Sequence, residues 1–116
     1  MVTTIRPRRP RESAVEDTCR RHARALGFLL RKMNGVGFRA WPDRLLIGPA
    51  AAPGTLWVEF KRPPSSPRAK REGPTEAQAA LHADLRARGE EVWVVDSVGD
   101  FKWRLAAWIA DHRRDG

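Results

Sequence analysis

The stretch TLWVEFK, at residues 55–61, has the clearest strand pattern in the chain. Its apolar side chains alternate with more polar ones, and this period of two predicts a half-buried β-strand. The alternation places Glu59 and Lys61 on one face of the strand and the apolar residues on the other. A carboxylate beside an ammonium is usually a surface ion pair of small energetic value, so the stretch alone does not indicate a functional site.

A second acidic residue, Asp43, lies upstream in the tripeptide PDR, at the head of an apolar run that ends at Ile47. Residues 48–54 are rich in proline, alanine and glycine, which favours a hairpin connection between the two runs. Such a hairpin brings Asp43 beside Glu59. An aspartate that follows proline is also a common turn residue, and that interpretation of Asp43 stays open.

Two carboxylates next to a lysine form a hard-oxygen site that suits Mg²⁺ and has a cation beside it. The ion can polarise a phosphodiester and lower the pKa of an attacking water. The ammonium of Lys61 can stabilise the charge that develops on the phosphate, or position that water. The combination of Asp43, Glu59 and Lys61 therefore predicts phosphodiester hydrolysis.

Capping-box patterns mark the starts of two helices, SAVE at residues 13–16 and TEAQ at residues 75–78. In the first pattern Ser13 is the expected N-cap, and that helix is expected to end near Gly27. Leu29 and Leu30 then open a short strand, and NGVG at residues 34–37 predicts a turn.

The second half of the chain is expected to contain, in order, a loop, a helix, a strand and a helix. Residues 62–73, rich in proline and cations, predict a surface loop. The helix after it is expected to end at Gly89 and to bury Ala77, Leu81 and Leu85. A buried strand at residues 92–95 and a last amphipathic helix around residues 101–109 follow. This order predicts an α/β arrangement around a small mixed sheet.

The composition is that of a globular domain, with 41% hydrophobic and 31% charged residues among 116. We expect a basic flexible tail at residues 1–11 and one domain at residues 12–116. The chain has no apolar run that could span a membrane and no secretory signal, so we expect it in the cytoplasm. One cysteine excludes an internal disulfide, and the absence of tyrosine excludes a tyrosine nucleophile.

The formal net charge of +8 is unevenly distributed. Residues 1–39 hold ten basic and three acidic residues, and residues 61–72 hold five basic and one acidic. Two basic segments around a near-neutral body indicate a polyanionic partner, although a solubility surface with a disordered arm is the alternative. The side chains expected to contact nucleic-acid phosphates are Arg6, Arg8, Arg9, Arg11, Arg44, Arg62, Arg68, Lys70 and Arg71.

The motifs together resemble a known nuclease family. PD at residues 42–43, a spacer, and EFK at residues 59–61 look like the PD-(D/E)xK nuclease signature. The finer pattern, over about residues 12–98, resembles the VRR-NUC (virus-type replication-repair nuclease) branch in its stand-alone phage or bacterial form. Its further members are, in chain order, Glu16, Gly27, Lys32, Thr75, Gln78, Gly89 and the strand at residues 92–95. One departure is visible: the family pattern has a glycine close before the PD dipeptide, and this chain has Ala40 and Trp41 there.

The resemblance implies a PD-(D/E)xK core, a small mixed sheet flanked by helices in the order αβββαβ, plus a C-terminal helix. It also implies a Mg²⁺-dependent DNA endonuclease, in which Mn²⁺ can substitute. Asp43 and Glu59 would be metal ligands, with the backbone carbonyl of Phe60 as a candidate third ligand. Lys61 would be the catalytic lysine, and Glu16 would approach the metal directly or through water.

Gln78 would, by the same resemblance, orient Lys61 or a water in catalysis. Glu16 and Gln78 each stand at the third position of a capping box, so helix capping is the competing role for both. The sequence does not decide, for either residue, between a role in helix capping and a role in catalysis. The histidines show no zinc spacing, and His82 is expected to be an ordinary half-exposed residue. Four of the five tryptophans are expected in the core, whereas Trp41 lies close to Asp43 in the sequence and could pack on DNA.

We expect a homodimer that prefers branched DNA, such as four-way junctions, in replication, repair or recombination. One site cuts one strand, so symmetric cleavage needs two copies. Trp103 and Trp108 lie on different sides of the last helix and add apolar surface for pairing, unless both complete the core of one chain. Two other functions remain open: a non-catalytic DNA-binding module with the nuclease fold, and a basic protein–protein adaptor.

Overall fold

A computed structural model of the chain describes residues 12–33 and 39–114. Its elements are helix α1 (Glu12–Ala25), strands β1 (Leu29–Lys32), β2 (Arg44–Ile47) and β3 (Thr55–Phe60), helix α2 (Glu76–Ala87), strand β4 (Val92–Val95) and helix α3 (Val98–His112). This order confirms the predicted α/β class. The predicted tail at residues 1–11, with its four arginines, and the predicted turn at residues 34–37 lie outside the described residues. None of the described helices is long and apolar enough to cross a membrane.

The four strands form one mixed sheet in the order β1-β2-β3-β4. The first three strands are antiparallel neighbours, and β4 runs parallel to β3. Residues 48–54 turn the chain back on itself as predicted, while the parallel pair needs a longer crossover, which α2 supplies. The sheet therefore brings the end of β3 and the start of β2 to the same edge.

Helix α1 begins at Glu12, two residues earlier than an N-cap at Ser13 implies, so Ser13 lies in the first turn and the N-cap prediction is wrong. The side chain of Glu16 bonds to Arg44 of β2, so a tertiary ion pair uses the carboxylate that the capping box would require. The helix ends before Gly27, which has a positive φ of 86° that glycine adopts without strain. The short strand at Leu29 follows as predicted.

Helix α2 turns a different side to the sheet than the apolar pattern predicts. Ala77 is exposed and Leu81 is only half-buried, whereas His82 and Leu85 are buried. Gln78, His82 and Leu85 follow the i, i+4, i+7 spacing of one helix face. Because Gln78 contacts Lys61, this row is the one that faces the sheet. The predictions of a buried Ala77 and of a half-exposed His82 are therefore wrong.

The core lies between the sheet and the pair α1 and α3, and Trp108 is one of its two indoles. Its indole packs edge-on against Phe28, with ring centroids 5.6 Å apart, and stacks on His112. A Cβ atom on Gly54, which has a φ of +134°, would lie 2.9 Å from this indole. Trp108 thus completes the core of one chain, whereas Trp103 is 73% exposed and remains available for contact with a partner.

Candidate active site

Asp43 and Glu59 meet where β2 begins and β3 ends. Arg44 and Val58 are register partners, so the preceding residue Asp43 lies opposite Glu59. The backbone N–H of Asp43 donates to Glu59 Oε2 at 3.1 Å, and the N–H of Phe60 donates to Asp43 Oδ2 at 3.3 Å. The hairpin therefore produces the predicted pair of adjacent carboxylates, each held by the backbone of the other strand.

Glu59 lies where its charged form is strongly disfavoured. Glu59 is 1% exposed. Its burial raises the pKa of the carboxyl to about 8, and the hydrogen bond and the negative charge of the Asp43 side chain act in the same direction. The Asp43 N–H and the Lys61 ammonium act in the opposite direction with smaller effect. A group in this state favours any positive charge brought to it, either a proton or a cation.

Lys61 follows the last residue of β3 and keeps the pairing of that strand. Its backbone N–H donates to the carbonyl of Val95 at 2.8 Å, and its side chain shares a face with Glu59. The residue is only 8% exposed, and its Nζ donates to Gln78 Oε1 at 2.8 Å. A neutral amide oxygen from α2 therefore fixes an ammonium that is otherwise largely desolvated.

Gln78 combines the two roles that the sequence presents as alternatives. Its Oε1 also accepts from the backbone N–H of Thr75 at 2.9 Å, and its own N–H donates to Thr75 Oγ1 at 3.1 Å. These two bonds form the predicted capping box of α2. Capping leaves the amide oxygen free to accept from Lys61 as well, since a carbonyl oxygen has two lone pairs. The first turn of α2 is thus hydrogen-bonded to Lys61 through the Gln78 side chain.

Glu16 is held on the α1 side of the sheet, in a half-buried ion pair with the Arg44 guanidinium. Arg44 and its register partner Val58 point to the same side of the sheet, and Val58 belongs to the core that α1 covers. Glu16 is therefore tied to the neighbour of Asp43 along the chain, and its predicted role at a metal stays a prediction. The same ion pair occupies Arg44, whose predicted contact with DNA also stays a prediction.

The donor set at this edge suits a hard cation. Among residues 12–33 and 39–114, no group of three or more His, Cys, Asp or Glu side chains comes together as a metal cage. Asp43 and Glu59 supply two carboxylates, and the backbone carbonyl of Phe60 lies on the same stretch of β3. Mg²⁺ is commonly held by one or two carboxylates while it keeps several waters, so these residues fit that ion.

The loop that leaves Lys61 is basic and is anchored at one point. Arg62, Arg68 and Lys70 are exposed cations of this loop. Arg71 Nη1 contacts Asp96 Oδ1 at 3.0 Å, and the Asp96 side chain is buried while that of Arg71 is mostly exposed. Asp96 was missed by sequence reasoning, although it directly follows β4, and parallel strands end at the same edge of a sheet. The anchor keeps the loop beside this edge.

His82 is a second residue whose surroundings the sequence did not predict. The residue is 1% exposed, and its Nε2 has no hydrogen-bond partner among the described residues. Burial lowers the pKa of the ring, and the positive charges of Arg86 and Lys61 lower it further. The imidazole is therefore neutral at neutral pH and lies one helical turn from Gln78, near the lysine.

Two tryptophans border the carboxylates. Trp57 precedes Glu59 by two residues on β3, and Trp41 precedes Asp43 by two residues. Their ring centroids lie 5.5 Å apart with an angle of 57° between the planes, and both side chains are half-buried. We refer to these two residues as the tryptophan pair. Whether Trp41 contacts DNA stays a prediction.

No protein-family model matches the sequence, and no curated protein matches it significantly. Among solved structures, a VRR-NUC domain is similar, with a TM-score of 0.64 and 28% sequence identity over 82% of this chain and 94% of that chain. The match spans most of both chains, so it covers the sheet and the edge where Asp43, Glu59 and Lys61 lie. The motifs and this likeness agree: the chain is similar to a VRR-NUC domain and has a PD-(D/E)xK-like α/β fold, with a small mixed sheet flanked by helices.

Proposed function

We propose that this chain is a DNA endonuclease that depends on Mg²⁺, or on Mn²⁺ in its place, and hydrolyses phosphodiester bonds. The observation that carries the proposal is the meeting of two carboxylates and a buried lysine at one edge of a VRR-NUC-type sheet. A protein that only binds DNA has no need of a desolvated acid pair, because such a pair repels phosphate. The enzyme is therefore favoured over the non-catalytic binding module.

Asp43, Glu59 and the Phe60 carbonyl are the groups that would hold the metal. When bound, the ion would polarise the phosphodiester and lower the pKa of the attacking water. Glu59 would hold the metal as a carboxylate, because a bound cation would offset the burial and the Asp43 charge that raise its pKa. The Asp43 N–H orients Glu59 Oε2 for this role.

Lys61 is the group that would meet the charge developing on the scissile phosphate. Its ammonium is pre-positioned by Gln78 and partly desolvated, so its interaction with an oxyanion is stronger than it would be in water. Gln78 acts through Lys61 and is therefore a positioning residue. The loop cations Arg62, Arg68 and Lys70, together with the N-terminal arginines, would bind the phosphate backbone.

A homodimer acting on branched DNA is the finer part of the proposal. One site cuts one strand, so symmetric cleavage of a branched substrate would need the site of a second copy. The exposed indole of Trp103 supports an apolar contact surface on α3.

The deciding experiment is a cleavage assay with Mg²⁺ or Mn²⁺ on duplex, flap, splayed and four-way DNA. Asp43→Asn and Lys61→Ala should each abolish cutting and leave DNA binding in Ca²⁺ largely intact, because they remove chemistry without removing the basic segments. Asp84→Asn is the matched control, since Asp84 is an exposed acid on α2 that pairs only with Arg88 among the described residues. Cleavage by either site variant at the wild-type rate would reject the assignment, and equal rates on duplex and junction would reject the structural preference.

A further inference from the structure

The tryptophan pair stands in a fixed relation to the carboxylates. Trp57 and Glu59 point to the same face of β3, and two residues of a strand span about 6.6 Å. Trp41 lies against Trp57, so both rings lie on the face that carries the acid pair. One nucleotide spans a comparable distance from its phosphate to its base. A phosphate placed at Asp43 and Glu59 would therefore bring a neighbouring base to the tryptophan pair.

The surroundings of Trp57 distinguish it from the core tryptophans. Its register partners are Leu45 on β2 and Val92 on β4, which form an apolar floor beside the ring. Trp93 and Trp108 are buried in the core, whereas Trp57 is only half-buried at a central position of the sheet. An aromatic surface in the middle of a sheet, partly open and next to a phosphodiesterase edge, has the composition of a base-stacking platform.

We propose that Trp41 and Trp57 form a stacking site for an unpaired base next to the phosphate that is cut. The inference rests on the proposed function and names the class of substrate, which is DNA with at least one unpaired nucleotide beside the scissile bond. In a closed duplex both faces of each base are covered by neighbouring bases, so an indole can reach a base face only where the stack is broken.

Charge complementarity supports DNA as the occupant of this face. Lys61 lies next to Glu59 on the same face, and the basic loop that holds Arg62, Arg68 and Lys70 leaves from it. Cations that bind the backbone beside aromatic rings that stack on bases are the usual combination in proteins that bind single strands.

The test compares a closed duplex with the same duplex carrying a single-stranded flap, both fluorescein-labelled, with Ca²⁺ in place of Mg²⁺. Trp41→Leu keeps an apolar side chain against Trp57 but removes the aromatic face, and Trp41→Phe keeps an aromatic face. Leu45→Ala is the matched control, because Leu45 is the register partner of Trp57 and its truncation disturbs the same face without removing a ring. Thermal unfolding of each variant reports on the fold.

We expect Trp41→Leu to bind the flap DNA ~5- to 100-fold more weakly and the closed duplex less than about twofold more weakly, which is the loss of one base stack. Trp41→Phe should stay near the wild type on both. Equal weakening on both DNAs, wild-type binding of the flap by Trp41→Leu, or the same selective loss in Leu45→Ala would each overturn the stacking site. If the stacking site is overturned in one of these ways and the wild type still binds and cuts DNA, the proposed endonuclease function stands. If the wild type binds neither DNA, the stacking site and the proposed function are both overturned.

Discussion

Glu59→Gln should stabilise the metal-free protein and abolish DNA cleavage at the same time. The folded protein holds a proton on Glu59 up to about pH 8, whereas the unfolded chain releases it near pH 4.5. The contribution of Glu59 to stability is therefore complete below pH 4.5, falls as the pH rises, and is lost once the pH passes about 8. This loss amounts to roughly 1.4 kcal/mol of unfolding free energy per pH unit in that window, or roughly 3 kcal/mol by pH 7.

The neutral amide that Glu59→Gln introduces would avoid that loss and keep the local hydrogen bonds. Its oxygen can accept from the Asp43 N–H as Glu59 does, and its NH₂ can donate to the Asp43 carboxylate. The variant should therefore be more stable than the wild type by roughly 3 kcal/mol at pH 7, provided that a chelator removes divalent metal. The trade of stability for function is common at catalytic sites.

The assay is urea unfolding in EDTA across the window from pH 4.5 to pH 8, for the wild type and Glu59→Gln. Glu90→Gln is the control, since Glu90 is exposed in the turn after α2. The wild type and the control should lose stability with rising pH, and Glu59→Gln should lose distinctly less. Parallel curves for all three proteins would refute the argument that burial and Asp43 hold a proton on Glu59.

Three further outcomes are expected. Removal of residues 1–11, with four arginines, should weaken DNA binding, while cleavage at saturating DNA persists. The slope of the logarithm of the binding constant against the logarithm of the salt concentration should flatten by up to about 0.9 per lost phosphate contact. An unchanged slope would show that the tail does not touch DNA. Gln78→Ala should lower the free energy of unfolding by ~1–3 kcal/mol and slow cleavage, because it removes the oxygen that accepts from the Lys61 ammonium. Thr75→Ala should lower the free energy of unfolding by ~1 kcal/mol and leave the cleavage rate unchanged. Equal cleavage rates for the two variants would show that Gln78 does not position Lys61. Light scattering at micromolar concentration should give the mass of two chains, and the mass of one chain would contradict the dimer.

The features that local chemistry controls were predictable from the sequence. The strand ending in Glu59, the break at Gly27 and the capping box at Thr75 each depend on residues within a few positions of one another. The meeting of Asp43 and Glu59 was also predictable, because a short hairpin leaves few ways to pair two strands.

The orientation of α2 could not be predicted from the sequence, because it depends on a tertiary contact between Lys61 and Gln78. Alanines occupy several sides of this helix, so its apolar residues do not single out one face. The bond from Lys61 to Gln78 selects the face, and His82 is buried as a consequence. The ion pairs of Glu16 with Arg44 and of Arg71 with Asp96 are of the same kind, since each joins segments far apart in the chain.

The shared acceptor at Gln78 links the chemistry of the site to the opening of a helix end. Helix ends open and close many times before a whole protein unfolds. Because Gln78 Oε1 accepts from both Thr75 and Lys61, each opening of the first turn of α2 also releases the lysine ammonium. The amide hydrogen of Gln78 is held by Thr75 Oγ1, so its exchange with deuterated solvent measures how often the candidate site comes apart.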